Sequence, residues 1–510
     1  MWQPEPPKSA LAAGTRDARP HAVIVGAGLG GLAAGIRLGA RGYRVTLVDA
    51  LAEPGGRAAP WRQDGFLFDA GPTIITAPFL LEELWALCGR RMADDITLKP
   101  MDPFYRLDFA DGSSLECNGD MAAMRARIRA LCPGDEAGYL RFMAESEAIY
   151  RIGFEELSAV PFTKLTDMLK VLPDMVRMRA DRSLYRLAAK HVKDERLRTA
   201  LSFHPLFIGG NPFDVTSVYG LILHLEKTHG VHYVMGGTAA LVQGLVNLLH
   251  RQGATFRMNS PVQAIEVDSG RASGIRLAGG ERIEADIVVS NACIGHTYDT
   301  LLAGVKRKRW TSAKLRRTRF SMGVFVWYFG TNRRYEAVPH HTIQLGPRYR
   351  GLLDDIFHKK IVAEDFSLYL HRPSATDPSV APPGHDAFYA LVPVPNLQGG
   401  QDWASLAEPF RQRIARHLEA TLLPGLSDSV VSSHMITPLD FETRLRSKAG
   451  AAFGPEPLLF QSAYFRPHNV SEEVPNLYLV GAGTHPGAGV PGVLCSARIL
   501  DEVVPHAADA

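Results

Sequence analysis

The sequence of 510 residues is poor in cysteine, has no marked excess of either charge, and lacks an apolar run that could cross a membrane as a regular helix. The five cysteines, Cys88, Cys117, Cys132, Cys293 and Cys495, are scattered, with neither CxxC nor metal-ligand spacing. That argues against a disulfide framework and against a metal centre, and for a reducing, cytoplasmic setting. Lys and Arg number 56 and Asp and Glu 53, so the net charge of +3 gives no reason to expect nucleic acid as a partner. The first 20 residues carry Pro4, Pro6, Pro7 and Pro20 but no apolar segment, and read as a flexible tail rather than a signal peptide. The 24 residues Val474–Ala497 contain no Lys, Arg, Asp or Glu, which is long enough for a span. Their five glycines and three prolines would leave backbone groups unsatisfied in lipid, so a span is rejected. What is present is ordinary globular material: 46% apolar, 21% charged, with 47 glycines and 34 prolines marking many turns.

The strongest local signal lies near the start. His21–Val25 reads as a buried parallel strand, followed by Gly26-Ala27-Gly28-Leu29-Gly30-Gly31, a small-residue helix and a second strand closing on Asp49. This is the βαβ pattern of a dinucleotide site. Gly26 permits the turn, Gly28 lets the backbone approach a pyrophosphate, and Gly31 lets the helix sit close on the strand. The helix N-terminus offers unpaired N–H groups to phosphate. Asp49 can accept from ribose hydroxyls and disfavours a 2′-phosphate. The motif alone does not separate FAD from NAD.

The next segment, Pro54-Gly55-Gly56-Arg57-Ala58 and then Asp64 to Thr73, adds an arginine suited to pyrophosphate and a second glycine bend. In this order the elements resemble the flavoprotein superfamily of amine oxidases, carotenoid desaturases and Rab escort proteins. That resemblance implies FAD lined by Gly56, Arg57, Gly71, Pro72 and Thr73. Asn259 to Ala292 resembles the small β-meander and returning strand of the same superfamily, which places the backbone of Val262 against the adenine. Leu477–Val480 reads as a buried strand ending in the glycine-rich run Gly481 to Gly489, with a helix from about Pro491. Gly481, Gly483 and Thr484 are expected to lie against the flavin. Gly492 and Val493 are expected to aim the helix dipole at its pyrimidine end, favouring reduced flavin.

Further runs outside these segments narrow the resemblance. They are Phe104-Tyr105-Arg106, Phe203-His204-Pro205-Leu206 with Gly209 to Phe213, His341 with Gly346 to Arg350, Glu364 to Tyr369, and Gln461 to Asn469. With these the chain resembles the bacterial phytoene desaturases over nearly everything after the tail. Two positions depart: Asp49, where relatives commonly have Glu, and Cys495, where a smaller residue is common. The resemblance implies a discontinuous Rossmann-like α/β FAD domain with a mixed-sheet substrate domain and a helical membrane-facing region. It implies segments at about 1–20 (tail), 21–100, 231–298 and 475–510 (FAD), 101–230 (helical) and 299–474 (substrate), with candidate strands at Val324 to Phe329, Phe366 to Leu370 and Phe388 to Val394.

It also implies successive FAD-dependent dehydrogenation of phytoene toward neurosporene or lycopene, with desaturated carotenoid intermediates, and quinone or oxygen as final acceptor. A later-pathway or C30 desaturase, or a non-catalytic prenyl-lipid escort protein, are the alternatives. No catalytic base is evident; His485, in the glycine-rich run, reads as structural. An insoluble substrate requires contact with a lipid surface, expected at the inner membrane. Pro161 to Lys193 carries Phe162, Leu165, Leu169, Leu172 and Val176 at near-helical spacing among eight basic and three acidic residues, which suits an interfacial segment. The basic run Lys306 to Arg319 reads as a solvated loop face, with anionic headgroups as a second reading.

Overall fold

The computed structural model describes residues 18–509, so most of the expected tail lies outside the described residues. Its N-terminal strand, His21–Val25, is buried along its whole length. It is the centre of a five-stranded sheet ordered Leu477–Leu479, Ile287–Ser290, His21–Val25, Arg44–Val48, Thr255–Arg257. Every pairing in that sheet is parallel. Strands so covered on both faces need apolar residues throughout, which is what VIV and LYL provide. Helices Leu29–Ala40, Gly237–Arg251 and Val490–Arg498 share one core with Ile24, Val45 and Leu47 on one face. The antiparallel meander Val262–Asp268, Arg271–Leu277, Arg282–Glu284 contributes to the core on the other.

A second sheet of seven strands runs Val430–Ile436, Gly323–Thr331, Asp386–Val394, Leu368–His371, His341–Gln344, Tyr105–Asp108, Ser114–Cys117. Alternation along Gly323–Thr331 decides its two faces. Phe325, Trp327 and Phe329 pack with the helix Trp403–Thr421. Val324, Val326 and Tyr328 face the opposite core, where Val324 and Val326 meet the main cavity. Two of the seven strands come from within 101–230, a stretch expected to be mainly helical. They are short and half polar, YRLD and SLEC, and only pairing with the sheet makes them strands.

Around them stand the helices Met121–Leu131, Glu136–Tyr150, Leu165–Arg177, Leu184–His191 and Leu221–His229. No helix among the described residues is long and apolar enough to cross a membrane. The basic run Lys306 to Arg319 is tied down by local acids. Arg307 pairs with Asp299 and Arg309 with Glu472, and Glu473 accepts the backbone N–H groups of Lys308, Arg309 and Trp310. Lys314 stacks on Trp310 and Arg319 pairs with Glu456, so half of its cations are engaged within the fold.

Candidate functional site

Between the two sheets lies a cavity of about 620 Å³. At one end the backbone closes in. Gly26 turns at φ +101° and its N–H donates to Val48 O at 2.8 Å. A Cβ on Gly31 would sit 1.9 Å from Gly26 O, so only glycine allows the helix Leu29–Ala40 to start there. That helix has Gly28 at its N-cap, no side-chain cap and no acid in its first turn, which leaves its first N–H groups free. Another uncapped start is that of Val490–Arg498, with Gly489 at the N-cap; the helix begins one residue before the expected Pro491. Both N-termini border the cavity through Gly28, Gly30, Gly489, Gly492 and Val493.

Asp49 also borders it. One carboxylate oxygen accepts from Ala27 N at 2.7 Å and the other from Leu51 N at 2.9 Å. Each oxygen keeps a further lone pair, so the expected ribose contact is compatible with both bonds. Burial raises its pKa and the backbone N–H donors pull it back down. Arg57 is held by one hydrogen bond, from Nη2 to Ser447 Oγ at 2.8 Å. Its Nε has no partner and it forms no ion pair among the described residues. An enclosed guanidinium without a carboxylate is a site for an anion. A Cβ on Gly71 would stand 2.1 Å from Arg57 O, so the second glycine bend fixes the backbone under that arginine.

The cavity wall includes Gly26, Gly28, Asp49, Gly56, Arg57, Gly71, Pro72, Thr73, Val262, Gly481, Gly492 and Val493. Gly31, Gly483 and Thr484 stand behind it. Thr484 is 1% exposed with its hydroxyl donating to Pro467 O at 2.5 Å, and a Cβ on Gly483 would meet Ile294 at 2.5 Å. They shape the wall from behind, one layer away from the lining residues. The residues present fit an FAD: free helix N-termini and Arg57 for the pyrophosphate, Asp49 for a ribose, and glycine surfaces for flat rings.

Sequence reasoning missed several neighbours. Asn291 follows the buried strand Ile287–Ser290, and its side chain lies against Gly28, Gly30 and Gly481 while donating to Gly26 O at 3.3 Å. Its place at the end of a strand beside the GxGxxG turn was the available clue. Arg466 is 1% exposed and donates to Thr484 O, Pro455 O and Ala482 O at 3.1, 3.2 and 2.7 Å, bracing the glycine-rich run. Burial lowers its pKa to about 10. His485 is buried beside it, 5.0 Å from the ring of Phe162, and burial with the nearby Arg466 pushes it down to about 3. It is neutral at ordinary pH.

The rest of the wall is mostly apolar, with Met168, Val171, Met175, Phe203, Leu206, Phe207, Val324, Val326 and Leu391 among its residues. Its floor carries a polar network. Thr73 Oγ1 lies 2.8 Å from Tyr369 OH and 2.9 Å from Tyr389 OH, and Tyr369 OH meets His341 Nδ1 at 2.6 Å. His371, beside His341, reaches Asp69 at 3.3 Å, and Asp69 accepts from Thr238 N at 2.6 Å. Burial holds His340 and His341 far below the ordinary histidine value.

A parallel dinucleotide sheet, a meander and a second sheet closing an apolar chamber fit a flavoprotein oxidoreductase. Residues 29–499 match the family described as flavin containing amine oxidoreductase. A neurosporene-forming phytoene desaturase of Cereibacter sphaeroides is 52% identical over 96% of this chain and 95% of its own. A lycopene-forming one of Pseudescherichia vulneris is 46% identical over 93% and 97%. A 4,4'-diapophytoene desaturase of Methylomonas is 33% identical over 95% of both chains. Among solved structures, a redesigned putrescine oxidase superposes with a TM-score of 0.64 at 14% identity, covering 95% of this chain and 98% of its own. The chain thus belongs to the flavin-containing amine oxidoreductases, on the branch of the bacterial phytoene desaturases. It is an FAD-dependent oxidoreductase.

Proposed function

We propose that this protein desaturates phytoene in successive steps, toward neurosporene, lycopene or both, with quinone or oxygen as final electron acceptor. The observation that carries this is the chamber itself. Its cofactor end fits FAD, and beyond it the wall is apolar enough to hold a hydrocarbon chain in the absence of bulk water. Higher identity to phytoene desaturases than to the diapophytoene enzyme favours the longer substrate. The enclosed, unpaired Arg57 speaks for a bound cofactor and against an escort protein. Bound FAD supplies the two-electron oxidation by accepting hydride. Gly26, Gly28, Gly56, Arg57, Asp49 and Val262 would hold its nucleotide half, and Gly71 to Thr73, Gly481, Gly492 and Val493 its flavin half. The chain's own task is to orient the polyene and exclude water.

The route to the chamber is the helix Leu165–Arg177. Met168, Val171 and Met175 on its inner face line the cavity. Leu165, Leu169, Leu172 and Val176 on its outer face are 53–71% exposed, and no residue of the helix is buried. It packs beside Ala463–Phe465, where Phe460, 75% exposed, meets Phe465 at 5.6 Å between ring centres. Exposed apolar side chains in a contiguous patch, flanked by Lys164, Lys170 and Arg177, suit a lipid surface at the inner membrane. The test is incubation of the FAD-loaded protein with phytoene in anionic liposomes and a quinone, with products resolved by chromatography and absorbance. Longer chromophores are expected, and their spectra count the steps. Unchanged phytoene with FAD bound would overturn the assignment.

A further inference from the structure

A hydrocarbon has no polar group to recognise, yet its chamber holds a carboxylate away from the nucleotide end. Glu226, on the helix Leu221–His229, is 3% exposed and forms part of the chamber wall. Tyr105, 3% exposed, donates from its hydroxyl to Glu226 Oε2 at 2.8 Å and meets His204 Nε2 at 2.8 Å. His204, 1% exposed, lies 3.3 Å from the same carboxylate oxygen. Glu226 Oε1 and His204 Nδ1 have no partner. Burying a carboxylate with one oxygen unpaired is costly, and Tyr105 and His204 satisfy only the other. On the far side of the trio is a second cavity of about 50 Å³, whose wall again includes Glu226, Tyr105 and His204, together with Asn118 and Lys227. Most of its wall is apolar, Met124, Ile128 and Leu201 among it, and the trio with Asn118 and Lys227 is the polar part where water would be held. Glu226 is therefore a partition between the main chamber and this smaller cavity.

We propose that Glu226 is the proton acceptor of the desaturation, with Tyr105 and His204 as positioning residues and the small cavity as the proton's way out. The proposal rests on the reading of this chamber as a polyene desaturase. Loss of hydride to the flavin oxidises the substrate by two electrons and leaves an allylic cation. The C–H bond on the neighbouring carbon then breaks, its electron pair becomes the new double bond, and the proton passes to the Glu226 carboxylate. Glu226 returns to the carboxylate by releasing that proton through Tyr105 and His204 to water in the small cavity. Before the proton moves, the same carboxylate faces the positive charge of the cation, the one charge a hydrocarbon presents.

Two measurements on the FAD-loaded protein test this. The first is binding of a protonated long-chain tertiary amine against its uncharged hydrocarbon isostere, as a mimic of the cation. Wild type is expected to prefer the amine by about tenfold or more, and Glu226→Gln to lose that preference while Glu226→Asp keeps part of it. The second is turnover of phytoene in liposomes, where Glu226→Gln is expected to fall about a hundredfold with FAD content and melting temperature unchanged. If Glu226→Gln does not fold, Tyr105→Phe replaces it, with a smaller loss in both readouts. Wild-type preference surviving in Glu226→Gln, or turnover within about twofold of wild type, would overturn the proposal. A wild type that leaves phytoene unchanged would overturn the substrate reading instead, and the amine preference would still decide the role of Glu226.

Discussion

The two ends of the chamber are built on opposite principles. At the nucleotide end the chain approaches itself within a fraction of a side chain: one added carbon on Gly31 or Gly71 would lie 1.9 or 2.1 Å from a backbone oxygen. At the hydrocarbon end a Cβ on the wall residue Gly153 would meet only side chains, the nearest at 3.3 Å. Apart from Glu226 and the polar floor, the wall is mostly leucine, valine, methionine and phenylalanine drawn from several separate elements, and one apolar residue there can replace another of similar volume. Recognition of a charged cofactor demands particular residues along its whole length; holding a flexible hydrocarbon demands mainly dry volume.

The largest expected effect breaks the first principle. Gly31→Ala drives its methyl group into Gly26 O and must move the helix Leu29–Ala40 off the sheet. A loss of at least ~4 kcal/mol in stability, with no FAD retained, is expected by denaturant unfolding and flavin absorbance. Val171→Ala at the other end removes two carbons, yet should cost below ~1 kcal/mol because that helix has no buried residue. Equal losses at the two positions would erase the distinction.

Arg57 sharpens it. An enclosed cation without an acidic partner burdens the empty protein and has its use only when phosphate is present. Arg57→Ala is therefore expected to weaken FAD binding roughly thirtyfold, about 2 kcal/mol, while the apoprotein melts no lower than wild type. A drop in apoprotein melting temperature would show that the arginine has a structural partner in solution.

His485 adds a dependence on pH. Its folded-state pKa, pushed down to about 3, lies below the ordinary histidine value of about 6.5. The unfolded chain binds its proton first, so stability is fully present above about pH 6.5 and falls as pH drops toward 3, with a slope of about 1.4 kcal/mol per unit from this group. His485→Gln should flatten that part of the melting profile relative to wild type. Parallel profiles would place the proton elsewhere.

How legible each end was follows from the same contrast. The βαβ unit, the Arg57 bend and the glycine-rich run were readable because glycine and arginine at fixed spacing have few other uses. The strands Tyr105–Asp108 and Ser114–Cys117 were not, because YRLD and SLEC carry too little apolar alternation to declare themselves without the sheet they join. Asn291 and Arg466 act on backbone brought from distant segments, so no local pattern contains them. Gly483 and Thr484 lie in the glycine-rich run, turned toward Ile294 and Pro467. The trio of Glu226, Tyr105 and His204 comes from three separate elements, and only the fold shows that a carboxylate meets the hydrocarbon wall.

The smallest effect on stability concerns the outer face of the helix Leu165–Arg177. Leu169 and Leu172 are 62% and 53% exposed, so replacing both with Glu removes little buried area, and a change below ~0.5 kcal/mol in unfolding free energy is expected. In water wild type and the doubly substituted protein should be indistinguishable, and FAD content should be equal. Sedimentation with anionic liposomes is where they part: wild type is expected in the lipid fraction, and the doubly substituted protein in the supernatant, since two carboxylates both lose apolar contact and oppose the headgroup charge. Delivery of phytoene from liposomes should fall with the binding, whereas phytoene dispersed in detergent should be turned over by both. Equal turnover from liposomes would mean that this face does not meet the membrane, and that the hydrocarbon reaches Met168, Val171 and Met175 by another path.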